Sequence, residues 1–499
     1  MSKVLLSAGL TSWLFALGLS NSALTQSNSP SAAPVESPAV RAARHLPLRI
    51  CQVPGLKEDV LCGTYEVYEN RSKKTGRKIA LNLVVLPALG LTPAPDPLFP
   101  LAGGPGQAAT DGAANDAQRF AEIRRERDIV LVDQRGTGKS NRLTCQFDDF
   151  SDLLTTFMVG EIKDDVIKKC RAELELKADL RQYTTTNAVD DLDEVRAWLG
   201  YEHINLYGGS YGTRPAQIYL KRYPQRVRTV TLRAVTAIVS KNPLYAPRDS
   251  QNALDRLFED CAKGPSCQQA FPNLRQDFQT LLARLAATPV RVPSASARSG
   301  ETLITADLFA GVVRRLLYDA STQRQLPLII RNALANDFST LGPIASQISS
   351  LANGLSLGMM LSVICAEDVS FIREGEIARE AQGKLGGEHF VRVVVNACRH
   401  WPHDKLPADY AKPLKGKAPV LLLSGTLDPV TPPVWADAIA KNLPNSLHVA
   451  MEGIAHGPFP ACAQGLMAKF IAAGTVTGLD TSCVKELRRP PFIMPAAKQ

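Results

Sequence analysis

The chain has 499 residues, 45% hydrophobic and 21% charged with few aromatics, a globular composition long enough for one large domain with an insertion or for two to three ordinary ones. Its net charge of +9 comes from basic residues scattered in short pairs such as Lys73-Lys74, Arg124-Arg125 and Arg488-Arg489. With no basic block, aromatic interleaving or nucleic-acid module, the composition speaks against nucleic acid as a partner and leaves only a basic surface.

In chain order, the first feature is an early charge, Lys3, an apolar run from Val4 to about Leu19, and small polar residues at Asn21, Ser22 and Ala23. This predicts a signal peptide over 1–25. The run is about 16 residues long, broken by Ser7 and Ser12, and short of the roughly 20 that a spanning helix prefers. The expectation is an exported product, periplasmic or extracellular, with no stable membrane insertion after cleavage. Residues 26–44 are rich in Ser, Pro and Ala and read as a disordered leader. The ten cysteines fit an oxidising compartment: the number is even, with no C-x-x-C and no nearby His cluster, so no metal site is expected. They fall into neighbouring couples, which predicts local pairing: Cys51 with Cys62, Cys145 with Cys170, Cys261 with Cys267, Cys365 with Cys398 and Cys462 with Cys483.

From about residue 79 the apolar runs IALNLVVLPA, LFPLAG, IVLVDQRG, INLYGGS and VRTVTLRAV alternate with helical stretches, and PVLLLSG and SLHVAME follow much later. Near-continuous Val, Leu and Ile runs with helices between them indicate strands buried on both faces, hence a mostly parallel sheet. Between 241 and 404 the strand rhythm gives way to long helical patterns such as TADLFAGVVRRLLYDA. The predicted fold is α/β, a mostly parallel central sheet built from 45–240 and 405–499, with an inserted α-helical cap over 241–404.

The run IVLVDQRGTGKS resembles the end of a phosphate-binding loop, but that loop needs a glycine at position 133, where Asp133 stands. A carboxylate there would face the phosphate, so no nucleotide is expected.

The run INLYGGS ends in Gly208-Gly209-Ser210-Tyr211-Gly212, a G-x-S-x-G pattern with a strand before it and a helix, RPAQIYLKRYP, after it. That context makes a nucleophile elbow, in which small neighbours allow a tight turn. A serine hydroxyl needs a neutral imidazole to take its proton, and the imidazole needs an acid to fix its tautomer. The expected chain order is Ser, acid, His. PVLLLSG ends in Thr426-Leu427-Asp428, with Glu452 and Asp437 as alternative acids, and SLHVAMEG is followed by Ile454-Ala455-His456. Of the seven histidines, only His456 has both the order and the loop position: His45 lies in the leader, His203 and His448 at or within strands, and His389, His400 and His403 in the cap or its exit. The developing oxyanion needs two donors: Tyr211 N–H supplies one, and the turn Ala102-Gly103-Gly104-Pro105-Gly106 the other, at Gly104 or else Gly103.

Together AGGPG (102–106), DQRGTGKS (133–140), NLYGGSYGTR (205–214), SGTLDPVTPP (424–433) and GIAHG (453–457) resemble the secreted tripeptidyl aminopeptidase and proline iminopeptidase family of α/β-hydrolases. The resemblance extends from roughly residue 50 to 495. It implies an α/β-hydrolase fold, the triad Ser210, Asp428 and His456, no cofactor, and a secreted serine exopeptidase acting on peptides with a free N-terminus through an acyl-enzyme. An esterase or other acyl hydrolase with the same triad is the alternative. The resemblance also implies acidic cap residues that grip the substrate amine; in SVICAED these are Glu367, then Asp368. It places the DQRG turn beside the oxyanion loop, where an Asp133–Arg135 pair is expected to brace the backbone holding Gly104. Two positions depart from the pattern. Ala102 stands where proline iminopeptidases often have His, and Leu232-Arg233-Ala234-Val235 stands where many relatives carry L-D-G-V; the pattern assigns Arg233 no role.

Overall fold

The computed structural model describes residues 36–145, 164–293, 300–341 and 354–495. The expected signal segment lies outside them. Contacts divide the chain after Ser37, and residues from Pro38 onward form one compact unit.

That unit is built on a nine-stranded sheet. Its strands are β1 (Arg49–Cys51), β2 (Val60–Tyr68), β3 (Lys78–Leu86), β4 (Leu98–Leu101), β5 (Ile129–Val132), β6 (Ile204–Gly209) and β7 (Val227–Arg233), then β10 (Val420–Gly425) and β11 (Ser446–Met451). A separate two-stranded sheet in the inserted segment is formed by β8 (Val290–Pro293) and β9 (Glu301–Ile304). The order across the large sheet is β1-β2-β3-β5-β4-β6-β7-β10-β11. The pairs β1–β2, β2–β3 and β3–β5 are antiparallel, and every pair from β5 to β11 is parallel. Every residue of β10 and all but the last of β6 are buried, which is what helices on both faces of a parallel sheet produce. The sequence reading missed β1 and β2. Their burial is partial and alternating, with Thr64 and Glu66 interrupting the apolar signal, as suits strands near an edge.

The leader expected over 26–44 stops short of that boundary. Pro38–Ala43 is a helix whose Ala39 is fully buried and joins the main core with Leu46. Three alanines and Arg41 in Pro38–Ala43 are good helix formers, and Pro38 suits the first turn.

The inserted segment holds its own apolar core, formed largely by helices Ala246–Lys263, Leu274–Ala287, Ala306–Leu316 and Leu326–Leu334. The expected cap boundaries need correction here. Helices Leu357–Glu367 and Gly387–Arg399 pack into the main core through Met359, Leu361, Val363 and Val394, and Cys365–Cys398 crosslinks them. All five neighbouring cysteine couples are disulfides.

Asp133 and Arg135 do not pair with each other. Asp133, fully buried, accepts hydrogen bonds from Thr110 N and Oγ1 (both 2.9 Å), Asn82 Nδ2 (2.9 Å) and Lys139 N (3.1 Å), so it ties down the segment after the Gly103–Gly106 turn without Arg135. A Cβ on Gly138 would lie 2.2 Å from Asp133 Oδ2, which explains the glycine. Arg135 turns the other way, forming a two-pronged pair with Asp191 (2.6 and 2.7 Å) and donating to the carbonyls of Glu69 and Gln182.

Candidate active site

β6 delivers Ser210 into a tight turn. Ser210 has φ +55°, left-handed backbone that a non-glycine residue rarely adopts, and helix Thr213–Arg222 follows. A Cβ on Gly208 would sit 2.3 Å from Gly212 O, and one on Gly212 would sit 2.1 Å from Leu101 O. The turn therefore closes only with glycine at both positions.

The loops after β10 and β11 bring their residues to the same edge. His456 Nε2 lies 3.0 Å from Ser210 Oγ, and His456 Nδ1 lies 2.9 Å from Asp428 Oδ2. Asp428 is fully occupied: Oδ1 accepts from Val430 N (2.8 Å) and Thr431 N (2.9 Å), and Oδ2 accepts from Thr431 Oγ1 (2.7 Å) as well as from the imidazole. Burial pushes its carboxyl pKa up, but the charge and hydrogen bond of His456 and the two bonds from Thr431 outweigh burial and hold it below the ordinary value. Of the alternative acids, Asp437 pairs with His448 and Glu452 with Arg256; neither touches His456.

Gly104 and Tyr211 line the same cavity as Ser210. Tyr211 is fixed from behind. Gln134 Nε2 donates to its hydroxyl (3.1 Å), and because the single proton of Thr185 Oγ1 goes to Glu367 Oε2, the Tyr211 hydroxyl donates to Thr185 (2.8 Å). Burial first, then the Glu367 charge, raises the Tyr211 pKa and keeps the phenol neutral. Gly103 is set back: a Cβ there would be 3.6 Å from Ser210 Cβ, and Gly103 does not line the cavity.

The two acidic candidates are placed differently. Glu367 is fully buried and accepts from Thr185 N and Oγ1 (2.6 Å each), Tyr410 Oη (2.7 Å) and Arg214 Nη1 (3.3 Å), and it does not face the cavity. Asp368 does line it. Its Oδ1 takes Arg214 Nη2 (2.8 Å), Ser240 Oγ (2.9 Å) and Asn242 N (3.1 Å), whereas no donor among the described residues reaches Oδ2.

Several residues of the site carried no sequence signal. Arg214, buried on the helix after the elbow, organises Glu367 and Asp368; its place in GGSYGTR was the only available hint. Asp249, in the first turn of helix Ala246–Lys263, also lines the cavity and accepts from Trp435 Nε1 (3.0 Å) and Arg248 Nε (2.9 Å). Burial raises its pKa against those two hydrogen bonds. Arg233, at the end of β7, donates to the carbonyls of both His456 and Gly457 and stacks on Phe459 at 4.1 Å. The inserted segment touches the imidazole directly, with Tyr318 edge-on to His456 at 5.3 Å between centroids and its carbonyl accepting from Gly457 N at 2.6 Å.

The chain is 25% identical over 473 residues to the serine protease Hip1 of Mycobacterium tuberculosis, covering 87% of this chain and 88% of that protein. It is 22% identical over 405 residues to the tripeptidyl aminopeptidase of Streptomyces lividans, covering 76% and 74% respectively. Among solved structures, the proline iminopeptidase of Mycobacterium smegmatis aligns at 16% identity and a TM-score of 0.40, over 83% of this chain and 98% of that one. A family profile described as alpha/beta hydrolase fold matches residues 103–460, and with so much of its length inside that profile the chain belongs to the alpha/beta hydrolase family.

Proposed function

We propose that this hydrolase is a serine peptidase that cleaves near a free N-terminus, releasing a short peptide or a single residue. Ser210 attacks the scissile carbonyl while His456 Nε2 takes its proton. Asp428 holds Nδ1 and stabilises the imidazolium, and the N–H groups of Tyr211 and Gly104 receive the oxyanion. His456 then returns the proton to the departing amine, and water releases the acyl group from Ser210. The relatives named as a serine protease and a tripeptidyl aminopeptidase support a peptide substrate. Five disulfides support an exported protein, periplasmic or extracellular, and no helix among the described residues is long and apolar enough to cross a membrane.

The observation that carries the reading is the open oxygen of Asp368 in the wall of the Ser210 cavity. Arg214 brings one positive charge against the two carboxylates Glu367 and Asp368, so the cluster keeps a net negative charge before Asp249 is added. An α-ammonium at Asp368 Oδ2 offsets that charge and supplies the missing donor. The amine-gripping role expected first of Glu367 thus falls to Asp368, with Glu367 behind it holding Arg214.

The test compares chromogenic aminoacyl, dipeptidyl and tripeptidyl amides, free and N-acetylated, alongside simple esters. Free amines are expected to be preferred, and Asp368→Asn to raise their KM about tenfold. Equal turnover of acetylated and free substrates rejects the amine site, and turnover of esters alone makes the protein an acyl hydrolase instead. Ser210→Ala should abolish labelling by an organophosphate; persistent labelling moves the nucleophile elsewhere.

A further inference from the structure

Arg314 and Arg315 stand at the end of helix Ala306–Leu316, against the ring that touches His456. Both guanidinium carbons face Tyr318, at 5.5 Å for Arg314 and 5.1 Å for Arg315, and Phe390 lies 4.5 Å from Arg314. Arg314 is only 9% exposed, yet neither guanidinium has a hydrogen bond or an ion pair among the described residues, and Arg314 Nε is buried with no acceptor. By contrast, the more deeply buried Arg135, Arg196 and Arg214 all pair with carboxylates. The nearest acid in sequence, Asp319, instead accepts from Ser321 N (2.7 Å). A buried cation with neither anion nor acceptor is costly, and aromatic faces compensate only in part.

The position supplies a reason. Tyr318 leans on the imidazole and does not line the cavity that holds Asp368. His456 delivers its proton to the leaving amine, so the leaving group passes on the imidazole side, where Tyr318 and its two arginines stand.

We propose that Arg314 and Arg315 form a subsite for a carboxylate on the leaving-group side of the scissile bond, borne by the C-terminus of a short peptide or by an acidic side chain. The proposal rests on the leaving-group geometry of the peptidase reading. With an ammonium at Asp368 and a carboxylate at Arg314 and Arg315, the substrate class becomes short zwitterionic peptides or peptides acidic beyond the cleavage point.

The test uses leaving groups that differ by one carboxylate: the 4-nitroanilide against the 3-carboxy-4-nitroanilide of one free tripeptide, and 4-nitrophenyl acetate against 3-carboxy-4-nitrophenyl acetate. The carboxylated member should have the higher kcat/KM by about tenfold, the scale of one charged hydrogen bond. Arg314→Gln and Arg315→Gln should each bring that ratio toward one, and Arg314→Lys should keep part of it. A variant that merely loosens the fold lowers both members together and leaves the ratio alone, which counts against the subsite. A ratio of one in the unaltered protein, or a ratio that survives both glutamine variants, overturns it. If the anilides are inert while the acetates show the preference, the subsite stands and the peptidase reading fails. Peptides ending in a free acid or an amide, with Glu or Ala after the cleavage point, tell the terminal carboxylate from the side chain.

Discussion

Replacing Asp428 with Asn should stop the chemistry while leaving the fold intact, and the reason lies in which donors surround the carboxylate. Oδ1 accepts two backbone N–H groups, from Val430 and Thr431, at 2.8 and 2.9 Å. An amide nitrogen placed there would face two donors in a fully buried site, at roughly 1–3 kcal/mol for each lost bond. The amide therefore keeps its oxygen at Oδ1 and turns its NH2 toward Thr431 Oγ1 and His456 Nδ1. Thr431 can accept that donor by rotating its hydroxyl. The imidazole can accept it only by moving its own proton to Nε2, the nitrogen that lies 3.0 Å from Ser210 Oγ. In that tautomer Nε2 donates and cannot take the serine proton, so kcat should fall about 10⁴-fold, or about 5 kcal/mol of barrier. Steady-state kinetics on a free tripeptidyl anilide, with thermal unfolding of the same preparation, measures both halves of the claim. Activity within tenfold of the unaltered protein, or a loss of activity matched by unfolding, refutes the reasoning.

Arg233→Gln should lower kcat about tenfold with KM within twofold, because it removes the donors that hold the His456 and Gly457 carbonyls while leaving the Asp368 cavity untouched, and Arg233→Lys should recover part of the loss; an unchanged kcat in steady-state assays ends that assignment. Asp116, buried in helix Ala113–Arg119, has its carboxyl pushed up to about 6 by burial, against the opposing charge of Arg119. Its folded-state pKa is raised, so its contribution to stability is fully present below the unfolded value near 3.8 and is lost as pH rises through about 6. Asp116→Asn should therefore stabilise the protein by about 3 kcal/mol at pH 8, with a smaller gain at pH 4, in paired urea titrations; an equal gain at both pH values rejects the burial argument.

The parallel half of the sheet was legible because β4 to β7 and β10 are short apolar runs bounded by turns, and Ser210, Asp428 and His456 because each stands just past the end of such a run. What stayed hidden depends on contacts between distant segments. The alternating, half-exposed pattern of β2 does not stand out in a sequence whose other strands are continuous. The resemblance implies an Asp133–Arg135 pair, yet both residues lie past the end of β5, in a turn that carries their side chains to different neighbours, Thr110 and Asp191. Glu367 and Asp368 are adjacent, and only the fold decides which one turns to the cavity. Asp249 and Tyr318 belong to helical stretches whose pattern reports amphipathicity and nothing about which end meets a serine.

Gln323 holds the loop of the acid as Tyr318 holds that of the base. Its amide donates to Leu317 O (2.7 Å) and to Leu427 O (3.0 Å), one residue before Asp428, while five residues earlier Tyr318 O receives Gly457 N, one residue after His456. A single stretch of the insertion thus grips the loops of both the acid and the base. An insertion exchanged with a relative's would alter proton transfer along with substrate fit, so selectivity and turnover in this enzyme are not independent traits. Directed evolution that diversifies 318–323 should yield variants in which the two change together, whereas changes elsewhere in the insertion can tune selectivity alone.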